Sequence, residues 1–211
     1  MRKQTNWNHF SHSSNSFISS IVFKLLFSGY ADLLKCANFK KKIRILELGC
    51  GTGYITKRLC KKYDVEKATL VDSNKEMLGI AKKMLKNASC KKEFVHQDFF
   101  KFKSNEKYDL VHSQGVIEHF EDKKRKDLLK LHFNSTKKGG YCVIYSPTPT
   151  FFYNLLRKIM EALKIWIFHD EVPLKKEKII KEMEELGAKT LKHNYVWRFS
   201  LAEVGIIFKK N

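Results

Sequence analysis

The 211-residue chain is short of several things at once. It carries only three prolines and no Ser-rich or Pro/Gly-rich tract, while its apolar (43%) and charged (30%) fractions are ordinary, which excludes long disordered segments. Its five cysteines (Cys36, Cys50, Cys60, Cys90 and Cys142) include no CxxC pair. An odd, scattered set fits reduced thiols in a cytoplasmic protein better than a disulfide framework, and it speaks against a zinc–thiolate site. No apolar run is long enough for a membrane span: the richest early stretch, Phe17 to Leu34, is interrupted by Lys24 and Asp32 and lacks the pattern that ends a signal peptide. Acids are outnumbered, 22 Asp+Glu against 41 Lys+Arg, for a formal net charge of +19. Arginine is nonetheless scarce, being confined to Arg2, Arg44, Arg58, Arg125, Arg157 and Arg198. The lysines are spread along the whole chain, as solvated helix faces would spread them, so a nucleic-acid role is not favoured and peripheral contact with an anionic membrane stays open.

What is present is an alternating rhythm. After a polar opening (MRKQTNWNHFSHSSNS) and a helix beginning near Ser16, β-rich runs alternate with helical patterns. IRILEL precedes a helix from Tyr54 toward Lys62, and ATLVD precedes one from Lys75 to Lys86; EFVHQ follows, then YDLVHS with a helix from Lys123 to Phe133, then YCVIYS. Such alternation predicts an α/β domain with a mostly parallel sheet covered on both faces. The expected division is a flap and helix over 1–42 and a main domain over 43–211. Beyond Pro147, Phe152, Leu155, Leu156, Ile159, Leu163, Trp166 and Ile167 recur at helical spacing, predicting an amphipathic helix over Phe151 to Phe168 within an insertion at about 150–172. A further helix should stop at Gly187, and KTLKHNYVW and LAEVGIIFKK read as a closing hairpin.

The strongest local signal is ILELGCGTG at 45–53, a strand running into glycines 49, 51 and 53 and then a helix. Tyr54 stands where a dinucleotide fingerprint needs its last glycine, and Glu47 precedes the loop. An acid there suits a ligand carrying an ammonium group better than a pyrophosphate. Asp72 ends the second strand, where an acid can accept both hydroxyls of a ribose, and Asp98 follows the third, where it can accept from an exocyclic amine. Three acids around one glycine loop describe a pocket for an adenosine with an amino-acid tail.

ELGCGTG with VDSN, QDFF and YDLVHSQGVIEH resembles the class I S-adenosylmethionine-dependent methyltransferases, in particular their small-molecule group. The resemblance covers about residues 43–147. It implies a Rossmann-like, doubly wound seven-stranded sheet in the order 3-2-1-4-5-7-6, with strand 7 antiparallel. It also implies S-adenosylmethionine lying across the carboxyl ends of the strands. Glu47, Gly49 and Ser113 would then surround the methionine end, Asp72 the ribose and Asp98 the adenine, with Cys50, Gly51, Gly53, Ser73, Gln97 and Phe99 completing the contacts.

HSQGVIEHF at 112–120 would border the acceptor. Some relatives, including ubiquinone-type O-methyltransferases and small-RNA 3′-end methyltransferases, bind a divalent metal there through E-x-x-E-H. Here the window reads GVIEH, so Glu118 and His119 are present but Gly115 replaces the first acid, and no metal is expected. A helical turn over 115–120 would stack Gln114 on Glu118 and place Gly115 under His119. His119 remains a candidate general base or substrate contact with Glu118 beside it, against the alternative that the pair only stabilises the turn. His9, His12, His112, His169 and His193 have no ligand spacing.

HSQG is not the N/D-P-P-Y of base-amine enzymes. The expectation is therefore methyl transfer to a small-molecule or lipid-linked acceptor, at oxygen, beneath the 150–172 insertion as a lid. An RNA methyltransferase and a catalytically silent cofactor-binding module are the rival readings.

Overall fold

The computed structural model describes residues 5, 7, 17–39, 41–197 and 202–211, with side chains in the first helix described from residue 24. Most of the expected N-terminal flap, the helix start at Ser16, and His9 and His12 lie outside the described residues.

Helix α1 (Phe17–Leu33) runs into a 3₁₀ turn at Leu34–Cys36. Then follow β1 (Ile43–Leu48), α2 (Tyr54–Lys62), β2 (Val65–Asp72), α3 (Lys75–Met84), β3 (Lys91–His96) and a 3₁₀ turn at Phe99–Lys101. The second half holds β4 (Tyr108–Gln114), a 3₁₀ turn at Ile117–His119, α4 (Asp122–Ser135), β5 (Thr136–Pro147), α5 (Phe151–Ala162), α6 (Lys176–Glu184), β6 (Ala188–Val196) and β7 (Glu203–Lys210). The seven strands form one sheet in the order β3-β2-β1-β4-β5-β7-β6. The β1–β2, β1–β4, β2–β3 and β4–β5 pairs are parallel, and β7 is antiparallel to both neighbours. This is the topology that the family resemblance implies.

The two-residue period of a strand sorts the core into two layers. Ile45, Leu70, Val143 and Ile207 face one way and pack with Tyr30, Leu33, Leu59 and Leu78. Leu46, Val71, Ile144 and Phe208 face the other way and pack with Leu128, Leu129, Ile179 and Met183. On that second face Arg125 of α4 clasps Glu182 of α6 through Nε and Nη2 at 3.0 and 2.7 Å, both residues being buried. On the first face α1 is fastened by Tyr30, whose ring stacks on Tyr145 at 4.5 Å between centroids while its hydroxyl donates to the Ser113 carbonyl.

One helix departs from its predicted length. The periodicity predicts α5 through Phe168, but it stops at Ala162 because Lys164 takes a left-handed conformation (φ 58°). The Ile165 and Trp166 amides then both bond the Met160 carbonyl. Trp166 folds back, buried, beneath the Arg157 guanidinium, and its indole N–H donates to the Phe168 carbonyl. The apolar ridge that the spacing suggests is instead outward: Phe151, Phe152, Leu155, Ile159 and Leu163 are all exposed.

Candidate functional site

The site grows from the end of β1. Gly49 adopts φ +69°, and its N–H, with that of Cys50, donates to the Val71 carbonyl, which turns the chain back over β2. A Cβ on Gly49 would strike Val116 at 2.7 Å, so glycine is required both for the dihedral and for the approach of the loop after β4. At Gly51 (φ +50°) a Cβ would meet nothing within 4 Å; the loop is open there. Gly53 caps α2, so the loop feeds directly into a helix N-terminus.

Asp72, at the end of β2, holds this loop to the next one. Its Oδ2 accepts from the Gly51 N–H at 2.7 Å and its Oδ1 from the Asn74 N–H at 2.8 Å. Burial raises its carboxyl above the usual range, opposed by those two amide donors. Asn74 caps α3, and an open hollow lined by Ser73, Asn74, Lys75, Glu76 and His96 lies beside it. Asp98 caps the 3₁₀ turn at Phe99–Lys101 by accepting from the Phe100 amide, and the Gln97 amide donates to the Lys101 carbonyl. Phe99 is buried against the edges of Phe100 and Phe120.

Glu47 is the electrostatic centre. Only 4% exposed, its carboxyl accepts from the Thr56 hydroxyl at 2.7 Å, and desolvation pushes it up to about 8 despite that bond. In strand register Glu47 faces His112, whose Nε2 lies 3.3 Å from the same Thr56 hydroxyl. Since that hydroxyl's hydrogen goes to Glu47, the network assigns the imidazole hydrogen to Nε2 and leaves Nδ1 bare, 3.8 Å from Glu47. Burial pushes His112 down to about 3, so it is neutral and adds no compensating charge. A buried acid at the rim of an open glycine loop, short of a counter-charge, fits an ammonium group. The residues present therefore fit S-adenosylmethionine.

Ser113 follows the strand period to the other face. Its hydroxyl meets Nε2 of His132 at 2.9 Å, while Nδ1 of His132 donates to the Leu128 carbonyl. Cys50 is buried and its thiol is raised well above its ordinary value by desolvation.

The loop after β4 holds a 3₁₀ turn at Ile117–His119 and not a longer helical turn, and it sets Gly115 beside Glu118. A Cβ on Gly115 would come 3.6 Å from Glu118 Oε1. Gln114 does not stack on Glu118; its amide donates to Glu203 of β7 at 3.3 Å. Glu118 is 1% exposed, and neither carboxyl oxygen makes a close hydrogen bond among the described residues, although the Ser146 hydroxyl is near enough to act on it. Desolvation, then the neighbouring Glu171, raises its carboxyl far above the usual range. His119 is oriented by Asp170, whose Oδ1 lies 2.9 Å from Nδ1, and Asp170 also accepts from Thr5. Trp7 packs edge-on against His119 at 5.0 Å. The Nε2 edge is turned toward Glu118, 3.9 Å away.

Thr56, His112, Asp170, Glu171 and Glu203 thus join the site without having been singled out in the sequence. His169, two residues before Glu171, takes no part in these contacts.

A methyltransferase-domain family matches residues 45–140. The chain is 30% identical over 124 residues to malonyl-[acyl-carrier protein] O-methyltransferase 1 of Ilyobacter polytropus, an alignment covering 59% of this chain and 45% of that protein. The corresponding Priestia megaterium protein is 37% identical over 82 residues, covering 39% of this chain and 29% of its own. In both comparisons the chain spans less than half the length of the curated relative. In fold it is similar to a methyltransferase from Clostridium acetobutylicum described as S-adenosylmethionine-dependent, with TM-score 0.73, 20% identity and coverage of 97% and 99% of the two chains.

Proposed function

We propose that this chain, which belongs to the class I S-adenosylmethionine-dependent methyltransferases, transfers a methyl group to an oxygen of a small-molecule acceptor. The observation that carries the reading is Glu47, a buried carboxyl pushed up to about 8 beside a glycine loop that is open at Gly51. When bound, the cofactor supplies an electrophilic methyl on a sulfonium centre. Glu47 pairs with the ammonium of its amino-acid tail, and Thr56 and His112 hold that carboxyl in place. Asp72, tied to both flanking loops, accepts from the ribose hydroxyls, and Ser73 follows it at the mouth of the hollow. Asp98 and Gln97 meet the adenine edge while Phe99 packs beside the ring. Ser113, its hydroxyl taken by His132, serves by holding the end of β4 in register.

The acceptor enters along the wall made by Glu118 and His119. Much of the acceleration comes from holding the acceptor atom in line behind the methyl, so the wall's first duty is positioning. Oxygen as the acceptor atom is supported by relatives named as O-methyltransferases acting on a malonyl group on acyl carrier protein. By the same support the acceptor class is a carboxylate or hydroxyl on a carrier-linked or lipid-linked acyl chain.

The test is transfer of labelled methyl from S-adenosylmethionine into fractionated extract, followed by mild base. A methyl ester releases label as methanol, whereas an ether or an N-methyl group keeps it. Base-labile label in small molecules or on a carrier upholds the reading, and base-stable label there upholds it only where mass spectrometry places the methyl on oxygen. Label confined to RNA, or tight cofactor binding with transfer into no fraction, overturns it.

A further inference from the structure

We propose that Cys60 and Cys90 are a redox-active pair, which hydrogen peroxide joins as an intramolecular disulfide and a thiol reductant reopens. Both are free thiols, and their sulfurs lie 3.2 Å apart. A disulfide needs about 2.05 Å, so a closure of little more than an ångström makes the bond.

The two residues are 30 positions apart in the chain and meet only through the fold. Cys60 stands in the last turn of α2, and Cys90 in the bend that leads into β3. β3 is an edge strand, paired with β2 alone. The bend is held by its own hydrogen bonds: the Ala88 amide donates to the Leu85 carbonyl, and Lys92 Nζ reaches back to the Ala88 and Lys86 carbonyls at 2.8 and 3.4 Å. Leu59, Leu85 and Cys90 belong to one core layer, and Cys60, Met84 and Ala88 pack against it. Core packing and a fixed bend therefore set the approach of the two sulfurs.

Their surroundings divide the roles. A hydrogen bond from the Cys60 thiol, then the Cys90 amide and Lys92, hold the Cys90 thiol below its ordinary value against desolvation, while the Cys60 thiol is raised by the same contact. Cys90 is thus the nucleophile and Cys60, half-buried where Cys90 is buried, the resolving thiol. In the first step the Cys90 thiolate attacks one peroxide oxygen, the O–O bond breaks, and a sulfenic acid and hydroxide form. In the second, the Cys60 sulfur attacks the Cys90 sulfur, the S–O bond breaks, and the hydroxyl leaves as water with the Cys60 proton. Two thiols are oxidised to one disulfide and the peroxide is reduced to water. The other cysteines face elsewhere. Cys50 points its sulfur at the Gly51 carbonyl, Cys142 meets the Thr136 hydroxyl and is pushed up to about 12 by burial, and Cys36 is exposed after α1.

The bond would enclose β2 and α3, with Asp72 and Asn74, in a closed loop. It forms at the amino ends of the strands, and β3 then runs roughly 20 Å to the end that carries Gln97. The staple therefore locks the edge of the sheet against opening without entering the cofactor pocket, whatever the acceptor.

The experiment takes the full chain, reduced and desalted, through a small excess of hydrogen peroxide that catalase then removes. Thiols counted after denaturation should fall from five by the one bonded pair, with Cys60 and Cys90 in a single linked peptide, and dithiothreitol should restore all five. The melting temperature should rise by about 5–10 °C on oxidation. Cys60→Ser, whose hydroxyl keeps a donor beside Cys90, should form no link and accumulate a Cys90 sulfenic acid that dimedone traps. Cys90→Ser should form neither link nor adduct. Circular dichroism checks that each variant is folded, and either one alone decides the assignment. Survival of all five thiols, oxidation of Cys90 to a sulfinic acid without a link, a bond to another cysteine, or a linked protein that melts no higher overturns the proposal.

Discussion

Glu47 offers a proton that can be counted. Its carboxyl stands at about 8 in the folded chain because burial disfavours the charged form. Pairing with a ligand ammonium reverses that preference, so binding must expel the proton wherever the free protein still holds it. With a pKa of about 8 the carboxyl is ~0.9 protonated at pH 7 and ~0.25 at pH 8.5. S-adenosylhomocysteine, which carries the same ammonium without the methyl, should therefore release about 0.9 proton at pH 7 and about 0.25 at pH 8.5. Calorimetry in phosphate and in Tris reads this directly, since Tris takes up protons with far more heat and the pH 7 reaction becomes more exothermic in it. Affinity should also rise roughly tenfold per pH unit between 6 and 7 and level off above 8. Glu47→Gln, which keeps the acceptor for Thr56 and cannot ionise, should abolish the buffer dependence at both pH values. Equal heats in the two buffers at pH 7 for wild type, or the same difference in the Gln variant, would refute the reasoning. The sign for stability is opposite to that of a salt-bridged acid: the folded value lies above the unfolded one, so the contribution is complete below about 4.5 and is lost as pH rises through about 8.

Other perturbations test the surrounding frame. Asp72→Ala removes the acceptor for the Gly51 and Asn74 amides and should weaken S-adenosylhomocysteine binding by ~10-fold or more, measured by calorimetry on folded protein; unchanged affinity would sink its assignment. Arg125→Ala leaves Glu182 buried without its bidentate partner and should cost about 3–5 kcal/mol in urea unfolding, a fall on the order of 10 °C in Tm. Gly205→Ala would place a methyl inside the Tyr145 ring, so soluble expression or thermal stability should drop sharply, and a near-native Tm would contradict the packing of β7.

Nearly every strand was legible because alternating apolar runs and the glycine loop are local signals, the sheet order followed from the family resemblance, and Glu47, Asp72 and Asp98 lie at or just beyond strand ends, where the sequence placed them. What escaped reading is what depends on a second segment. Asp170 and Glu171 look like linker acids until the Val172 amide brings them to the Glu118 turn. His112 has no ligand spacing in sequence, yet strand register sets it opposite Glu47. Ser113 illustrates the reverse case: adjacency to His112 suggests a shared face, and the two-residue period separates them. Gly115 lacks the first acid of the relatives' pattern, and nothing local could reveal that Glu171 lies near Glu118 from a distant turn. The end of α5 was missed because a lysine in a left-handed conformation at residue 164 carries no compositional mark.

The antiparallel strand has a bearing on how the chain comes to be folded. β7 lies between β5 and β6, so β6 has no partner in the sheet until Glu203–Lys210 has been synthesised and inserted. During synthesis the parallel half from β3 to β5 can assemble while β5 still presents a bare, apolar edge to the cell. The interval before β7 arrives is the period in which this protein is most exposed to pairing with the wrong strand, and a slow stretch of translation there would lengthen it.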